Sequence, residues 1–460
     1  MRAGIEPANS GFADRCLTTW LPHRSVRNLV SASDPAKHDQ SPAPPLPPAP
    51  PALHDPYASL RVPNFRWFIV SVFTLTFATQ IQGIVVGWQI YAITHDPLSL
   101  GLIGLAEALP FLSISLPAGH TADRRNRRTI TLLSLTAMLA CSVSFLVFSL
   151  NPRVLAMPGA WPFFVVIFVS GIARAYVNPA RAALLAEIIP RSSYANASAW
   201  RSSSWQTASV AGPAVGGLLY GFSTATVAYA ADATLMLVAL LSFAAIRYTP
   251  SPAPPNREPL GESLRTGIRF VFQNPVILGA LTLDLFSVLL GGAEALLPVF
   301  ASDILHVGPE GLGILRAAPA VGAVLMSVYL AHRRPMERAG RAMLLAVATF
   351  AIAIVGFGLS RSIILSFGLL ALSGMADNVS VVVRSTLLQL MSPPEMLGRV
   401  SAVNAIFIGS SNELGAFESG VTAKLLGTVP AVILGGLASL GVVGIVSRTV
   451  PELRDLKRLE

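Results

Sequence analysis

The chain predicts an all-α membrane protein with twelve transmembrane helices in two six-helix, pseudo-symmetric halves. Three observations carry that expectation. The 460 residues are 53% hydrophobic and only 12% charged, with a mean hydropathy of +0.60, more apolar surface than a soluble core hides beneath a polar coat. Positions 65–448 hold roughly twelve apolar runs of about 20 residues, the length that crosses a hydrocarbon core as a helix. The loops after runs two, four, six, eight and ten and the C-terminus hold about 18 Lys and Arg near the spans, the opposite loops about two, Arg153 and Arg361.

That alternation places the basic loops and both termini in the cytoplasm by the positive-inside rule. It also disposes of a nucleic-acid reading of the net charge of +9, because a nucleic-acid surface has no reason to skip every second loop. Cys16 and Cys141 are the only cysteines, so the chain carries no disulfide framework and no zinc spacing.

Residues 1–64 read as a disordered tail. Seven prolines between Pro42 and Pro51 favour an extended segment over a packed one. Residues 65–248 form the first half. Run one, 66–94, carries Gln80, Gln82, Gln89 and Tyr91, too many polar groups for a helix wholly in lipid, and run two, 99–118, carries Glu107, Pro110 and Pro117. A short, strongly basic loop at 119–128 follows. Run three is plainly apolar. Run four, 161–185, holds Arg174, Asn178, Pro179 and Arg181, and a mid-span arginine costs a few kcal/mol unless it meets an acid, a carbonyl or water. Run five, 195–222, contains Gly212, Pro213, Gly216 and Gly217, residues that permit close helix approach and a bend. Run six includes Asp232.

Residues 249–274 form a cytoplasmic linker, proline-rich and then amphipathic. Leu264, Ile268 and Phe272 share one helical face, as for a helix lying on the inner leaflet. Residues 275–448 repeat the plan, and 449–460 form a cytoplasmic tail. Asp284, Glu294, Arg316, Asp377, Arg384, Glu413, Glu418 and Lys424 fall within the second-half runs, and a basic loop at 332–341 stands in for the first hinge. Placing Gly171 on Gly374 superposes Ala173 on Ala376, Arg181 on Arg384, Pro190 on Pro393 and Gly212 on Gly415, as expected of a parallel repeat.

Three motifs now point to one family. Gly119-x-x-x-Asp123-Arg124-x-x-Arg127-Arg128 resembles the signature between spans two and three of the major facilitator superfamily, although Asn126 stands where glycine is usual and His120 where an apolar residue is. Arg174 followed by Asn178 sits where that superfamily has its intramembrane arginine, with Pro179 in place of a glycine. Gly212-Pro213-x-x-Gly216-Gly217 resembles the span-five motif of antiporters. Trp88-Gln89-Ile90-Tyr91, Leu116-Pro117-Ala118-Gly119 and Asn178-Pro179-Ala180-Arg181 resemble the transmembrane secretion effector branch, which is similar to enterobactin exporters and macrolide or multidrug efflux pumps.

The resemblance implies a secondary active transporter of the bacterial cytoplasmic membrane, working by alternating access as a proton-coupled antiporter that exports an amphipathic small molecule, a siderophore or a drug. Its partners are that substrate, protons and the bilayer, with no nucleic acid. It is not an enzyme. It needs no cofactor beyond the proton gradient, and shows neither a nucleotide-binding glycine loop nor metal-ligand spacing. Asp123 with Arg124, Arg127 and Arg128 is expected to lock the halves together on the inner side while the outer side is open and to separate for the reverse, with Asp123 a sharper switch than Glu337 of the second hinge. Arg174, Asp284, Glu294, Asp377 and Glu413 are the candidates for proton coupling, while Glu107, Asp232, Asp303 and Glu418 are read as solvated or vestibule acids. Uptake by proton symport, and a transport-inactive sensor or scaffold using the proline-rich tail, are the competing functions.

Overall fold

Among the described residues, twelve helices of 17 residues or more follow one another. The structure, a computed structural model, describes residues 55–155, 157–190, 193–247, 260–332, 338–393 and 396–456. The side chains of Gly119, His120, Asp123 and Arg124 lie outside the description, as do residue Glu337, most of the proline-rich tail and the loop 249–259. In order the long elements are α1 (Pro63–Thr94), α2 (Pro97–Arg124), α3 (Arg127–Leu150), α4 (Trp161–Ile188), α5 (Tyr194–Phe222) and α6 (Ala225–Ala244). The shorter α7 (Leu260–Gln273) is followed by α8 (Pro275–Gly291), α9 (Gly308–Ala331), α10 (Ala339–Leu359), α11 (Ile363–Met391), α12 (Leu397–Leu426) and α13 (Thr428–Thr449).

Ten of these segments are long and apolar enough to cross a membrane. The two that fall short of the expected twelve are α5 and α12, and their positions explain why. They reach across to the opposite half, α5 against α9 and α12 against α2, so their Ser, Asn, Glu and Gln positions have protein to face where the other helices have lipid. Large apolar side chains such as Leu133, Ile352, Ile364 and Ile445 stand exposed on the other helices, the inverse of a soluble surface and what a lipid solvent asks for.

Local chemistry sets the helix starts. Asp96 accepts from the amide of Leu98 at 3.1 Å ahead of Pro97, Asn274 accepts from Ile277 at 3.3 Å ahead of Pro275, and Thr224 accepts from Val227 at 3.3 Å, each satisfying an orphan amide of a first turn. Asn126 caps α3 through the amides of Arg128 and Thr129. The asparagine that departs from the hinge signature is thus the N-cap that lets α3 start one residue later. Ahead of α1 the fold reaches back past residue 64: Ser59 donates to Asn196 at the start of α5, and Trp200 donates to the carbonyl of Pro56 at 3.0 Å.

The packing is duplicated. In the first half α1 meets α5 and α6, α3 meets α4 and α6, and α2 meets α4. In the second half α8 meets α12 and α13, α10 meets α11 and α13, and α9 meets α11. Each contact of one set has its counterpart in the other, and the two cross contacts, α2 with α12 and α5 with α9, exchange under the same correspondence. Aromatic side chains fill the first-half core, where Phe145 stacks on Phe163 and Tyr229 with ring centres 5.8 and 5.7 Å apart. α8 is interrupted after Gly291. A 3-10 turn, Ala293–Leu296, and a π-helical turn, Phe300–Ile304, carry that span on, so Glu294 sits at a helix break and not within a continuous span.

The halves meet tightly at the end of the bundle remote from residues 55 and 456. A Cβ on Gly101 would stand 2.9 Å from the Cα of Gly420, and one on Gly217 2.7 Å from the Cα of Gly313, distances at which only glycine lets the backbones pass. Lys424 donates to Asp96 at 3.0 Å, and the Tyr91 hydroxyl donates to the Asp303 carboxylate. Asp303 is exposed at this end, as a vestibule acid, and is also bonded across the halves.

Candidate functional site

Three helices present one face each to a cavity of about 200 Å³ between the halves. α2 supplies Glu107 and Phe111, one turn apart. α4 supplies Gly171, Arg174 and Asn178, and α12 supplies Gly409, Asn412 and Glu413. The spacings of three, four and seven residues are those that align side chains on a single helical face. Gly171 lets α4 approach α2, since a Cβ there would lie 2.7 Å from the ring of Pro110. That close approach brings Arg174 to Glu107, with Nη1 2.9 Å from Oε1.

Arg174 lies midway along α4, yet its side chain is 41% exposed and that of Glu107 28%, because both open into the cavity. An ion pair with access to water avoids the full desolvation cost of a dry one. Glu413 joins them from the other half. One guanidinium thus faces two carboxylates, one from each half, an arrangement able to exchange partners when a proton or a cation arrives. Pro179, five residues beyond Arg174, donates no backbone hydrogen bond and leaves the carbonyl of Ala175 without its usual helical partner.

The second half carries a charge-inverted counterpart. Gly171 packs on Pro110, and Gly374 packs on Pro319 of α9. Three residues before those prolines stand Glu107 and Arg316; three residues after those glycines stand Arg174 and Asp377. The acid–base order of α2 and α4 is reversed in α9 and α11. Arg316 turns to Glu294, contacting its carboxylate at 3.2 Å and its carbonyl at 3.1 Å. Asp284 is buried in an ion pair with Arg384, away from the central cavity.

The expected site residues therefore separate into groups. Arg174 and Glu413 come together with Glu107, which the sequence reading assigned to the vestibule. Asp284 and Asp377 share a smaller cavity within the second half, and Glu294 pairs with Arg316. Asp232, also expected near the surface, is fully buried and accepts from Gln82 at 3.1 Å, with Gln82 bridging to Ser142 at 3.2 Å. Gln82 is one of several polar residues of run one, and only the packing of α1 on α6 shows which of them meets Asp232.

In the span-five motif, Gly212 and Gly216 face α1, their Cβ positions 2.6 Å from Gln80 and 3.0 Å from Ile81, while Gly217 faces α9. Pro213 sits between, within α5. The motif thus joins one first-half helix to one second-half helix. At the hinge, Arg127 is ion-paired with Glu187 at the end of α4, and Arg128 donates to the carbonyl of Ala244 at 2.7 Å, at the end of α6. Both arginines neutralise or cap helix C-termini of their own half, so with the far end closed the described part of the hinge ties the first half to itself. Asp123 and Arg124 lie outside the described side chains.

Comparison with known proteins decides the family. The family described as transmembrane secretion effector matches residues 54–458. The chain belongs to this branch of the major facilitator superfamily. Among curated relatives, the enterobactin exporter EntS of Escherichia coli (strain K12) is 27% identical over 405 residues, covering 86% of this chain and 94% of the relative. The protein of the same description from Shigella dysenteriae serotype 1 (strain Sd197) shows the same figures. Among solved structures, a bacterial homologue of the human lysosomal transporter Spinster aligns with a TM-score of 0.65 at 16% identity, over 85% of this chain and 98% of that one. The nucleoside transporter NupG aligns with a TM-score of 0.67 at 12% identity, over 85% and 99%. These likenesses give the chain the fold of a multi-pass membrane transporter.

Proposed function

We propose that the protein exports an amphipathic small molecule, a siderophore or a drug, across the bacterial cytoplasmic membrane in exchange for protons, with both termini in the cytoplasm. The observation that carries this reading is the cavity where Arg174 and Glu107 of the first half face Glu413 of the second. With the far end held shut by paired glycines, this is the state that loads substrate from the terminal side. Substrate entering from this side displaces the proton of Glu413 into the cytoplasm, while Arg174 keeps its pair with Glu107. The halves then rock, the glycine contacts at α2–α12 and α5–α9 part, a proton from the far side returns to Glu413, and substrate leaves there. A volume of about 200 Å³ is below the roughly 300–1,000 Å³ of drug-sized pockets, so loading widens the cavity.

Similarity to enterobactin exporters supports export and a siderophore as one substrate candidate. The test is accumulation in inverted membrane vesicles energised by respiration, with a catecholate siderophore and a cationic dye in competition. Proton-driven uptake into the vesicles, abolished by a protonophore, is the expected result. Accumulation indifferent to the protonophore would remove the proton from the scheme, and loss of preloaded substrate on energisation would reverse the direction.

A further inference from the structure

A second polar site lies inside the second half, apart from the central cavity. Asp284 and Ser287 on α8 face Asp377 and Ser380 on α11 around a cavity of about 10 Å³ walled by Val347 and Phe350. Each helix contributes a carboxylate and, one turn on, a hydroxyl, so four oxygen-bearing side chains converge. The space is at the lower edge of what one water-sized sphere occupies.

Two features of the site call for a ligand. Ser380 is 2% exposed, lines the cavity, and its Oγ has no hydrogen-bond partner, an outcome that costs free energy in a dry interior. The charges are also unbalanced. Arg384 neutralises Asp284 by direct ion pairing, which leaves the formal charge of Asp377 over. The hydroxyl proton of Ser287 is spent on the carbonyl of Leu283 at 2.5 Å, so its lone pairs are free to face a cation.

We propose that these four side chains form a sodium site. The donor set is all oxygen, which suits a hard cation over a transition metal, and the surplus charge is one, which suits a monovalent ion. No group of three or more His, Cys, Asp or Glu side chains suited to a metal occurs among the described residues, so the chemistry of a divalent site is lacking there. The small volume favours sodium over the larger potassium. This site stands independently of the transport direction and of the coupling ion proposed above.

The experiment uses the purified full-length protein in detergent and reads its Tm in NaCl, KCl and choline chloride at equal ionic strength. Sodium alone is expected to raise Tm, in proportion to the logarithm of its concentration once the site is filled. Ser380→Ala and Asp377→Asn should each weaken the apparent sodium affinity by about ten-fold or more, the worth of one charge-assisted ligand, while Glu413→Gln in the central cavity should leave the sodium response intact. Equal Tm values in the three salts, or an unchanged sodium response in the folded Ser380→Ala protein, would overturn the proposal. Because the reading is binding and not flux, failure here leaves the vesicle experiment to judge the antiport reading separately.

Discussion

Arg174 is a permanent charge midway along a 28-residue apolar helix, a placement that costs a few kcal/mol unless it is answered. Glu107 answers it directly and Glu413 shares the cavity. The two carboxylates are therefore not equivalent to Arg174 in what they leave behind when removed. Glu107→Gln retains a counter-charge for the arginine through Glu413. Arg174→Ala leaves two acids facing one another with no cation between. We expect Arg174→Ala to lower the transport rate by about 100-fold or more and Glu107→Gln by less, with stability falling by about 1–2 kcal/mol in the former, a value discounted from that of a dry ion pair for the water in the cavity. Initial rates in vesicles and the Tm of each purified variant check both. Arg174 was legible because an arginine in an apolar run has few bland explanations. Glu107 was not, since the run-two sequence does not reveal that Gly171 brings α4 against Pro110. Asp232 was misplaced for the same reason: its partners Gln82 and Ser142 come from two other helices.

At the scale of elements, the glycines of α5 do two different jobs. Gly216 seats α5 on α1 within one half, whereas Gly217 touches Gly313 across the halves. Gly217→Leu should therefore bar the closed far end while the protein still inserts. A cysteine pair replacing Asp96 and Lys424, which are ion-paired in this state, should be bridged by a short bifunctional thiol reagent in the parent background and poorly with Gly217→Leu. Cross-linking that is undiminished would show that α5 and α9 separate without consequence for α2 and α12. The span-five motif was readable as a run of small residues with a proline, but which glycine faces which helix depends on the rotation of α5 about its axis, and that is set by packing. The hinge gives the reverse case. Its basic residues were conspicuous in the sequence, yet Arg127 and Arg128 bind the ends of α4 and α6, targets some 60 and 116 positions away in sequence, and no local pattern announces such partners.

At the scale of the whole molecule, the duplicated contact pattern is the feature that makes rocking mechanically simple. Each half holds together through five helix pairs that repeat in the other half, and the halves meet chiefly through two pairs that exchange under the repeat. Moving one half against the other therefore chiefly disturbs two contacts, each of which includes paired glycines at the far end, and spares the ten within the halves. The repeat was visible in Gly171 with Gly374 and in Arg181 with Arg384. The inversion of charge between Glu107 with Arg174 and Arg316 with Asp377 needed the proline contacts to set the correspondence. The central claim is that Glu413, beside the Arg174–Glu107 pair, gives up its proton on the loading side and regains one on the far side as the halves rock. The measurement that tests it most directly compares proton-driven accumulation with substrate-for-substrate exchange in vesicles carrying Glu413→Gln. The account predicts that accumulation is lost while exchange persists, because exchange needs substrate binding and rocking but no release of a proton. Accumulation at the parent rate in Glu413→Gln would contradict it.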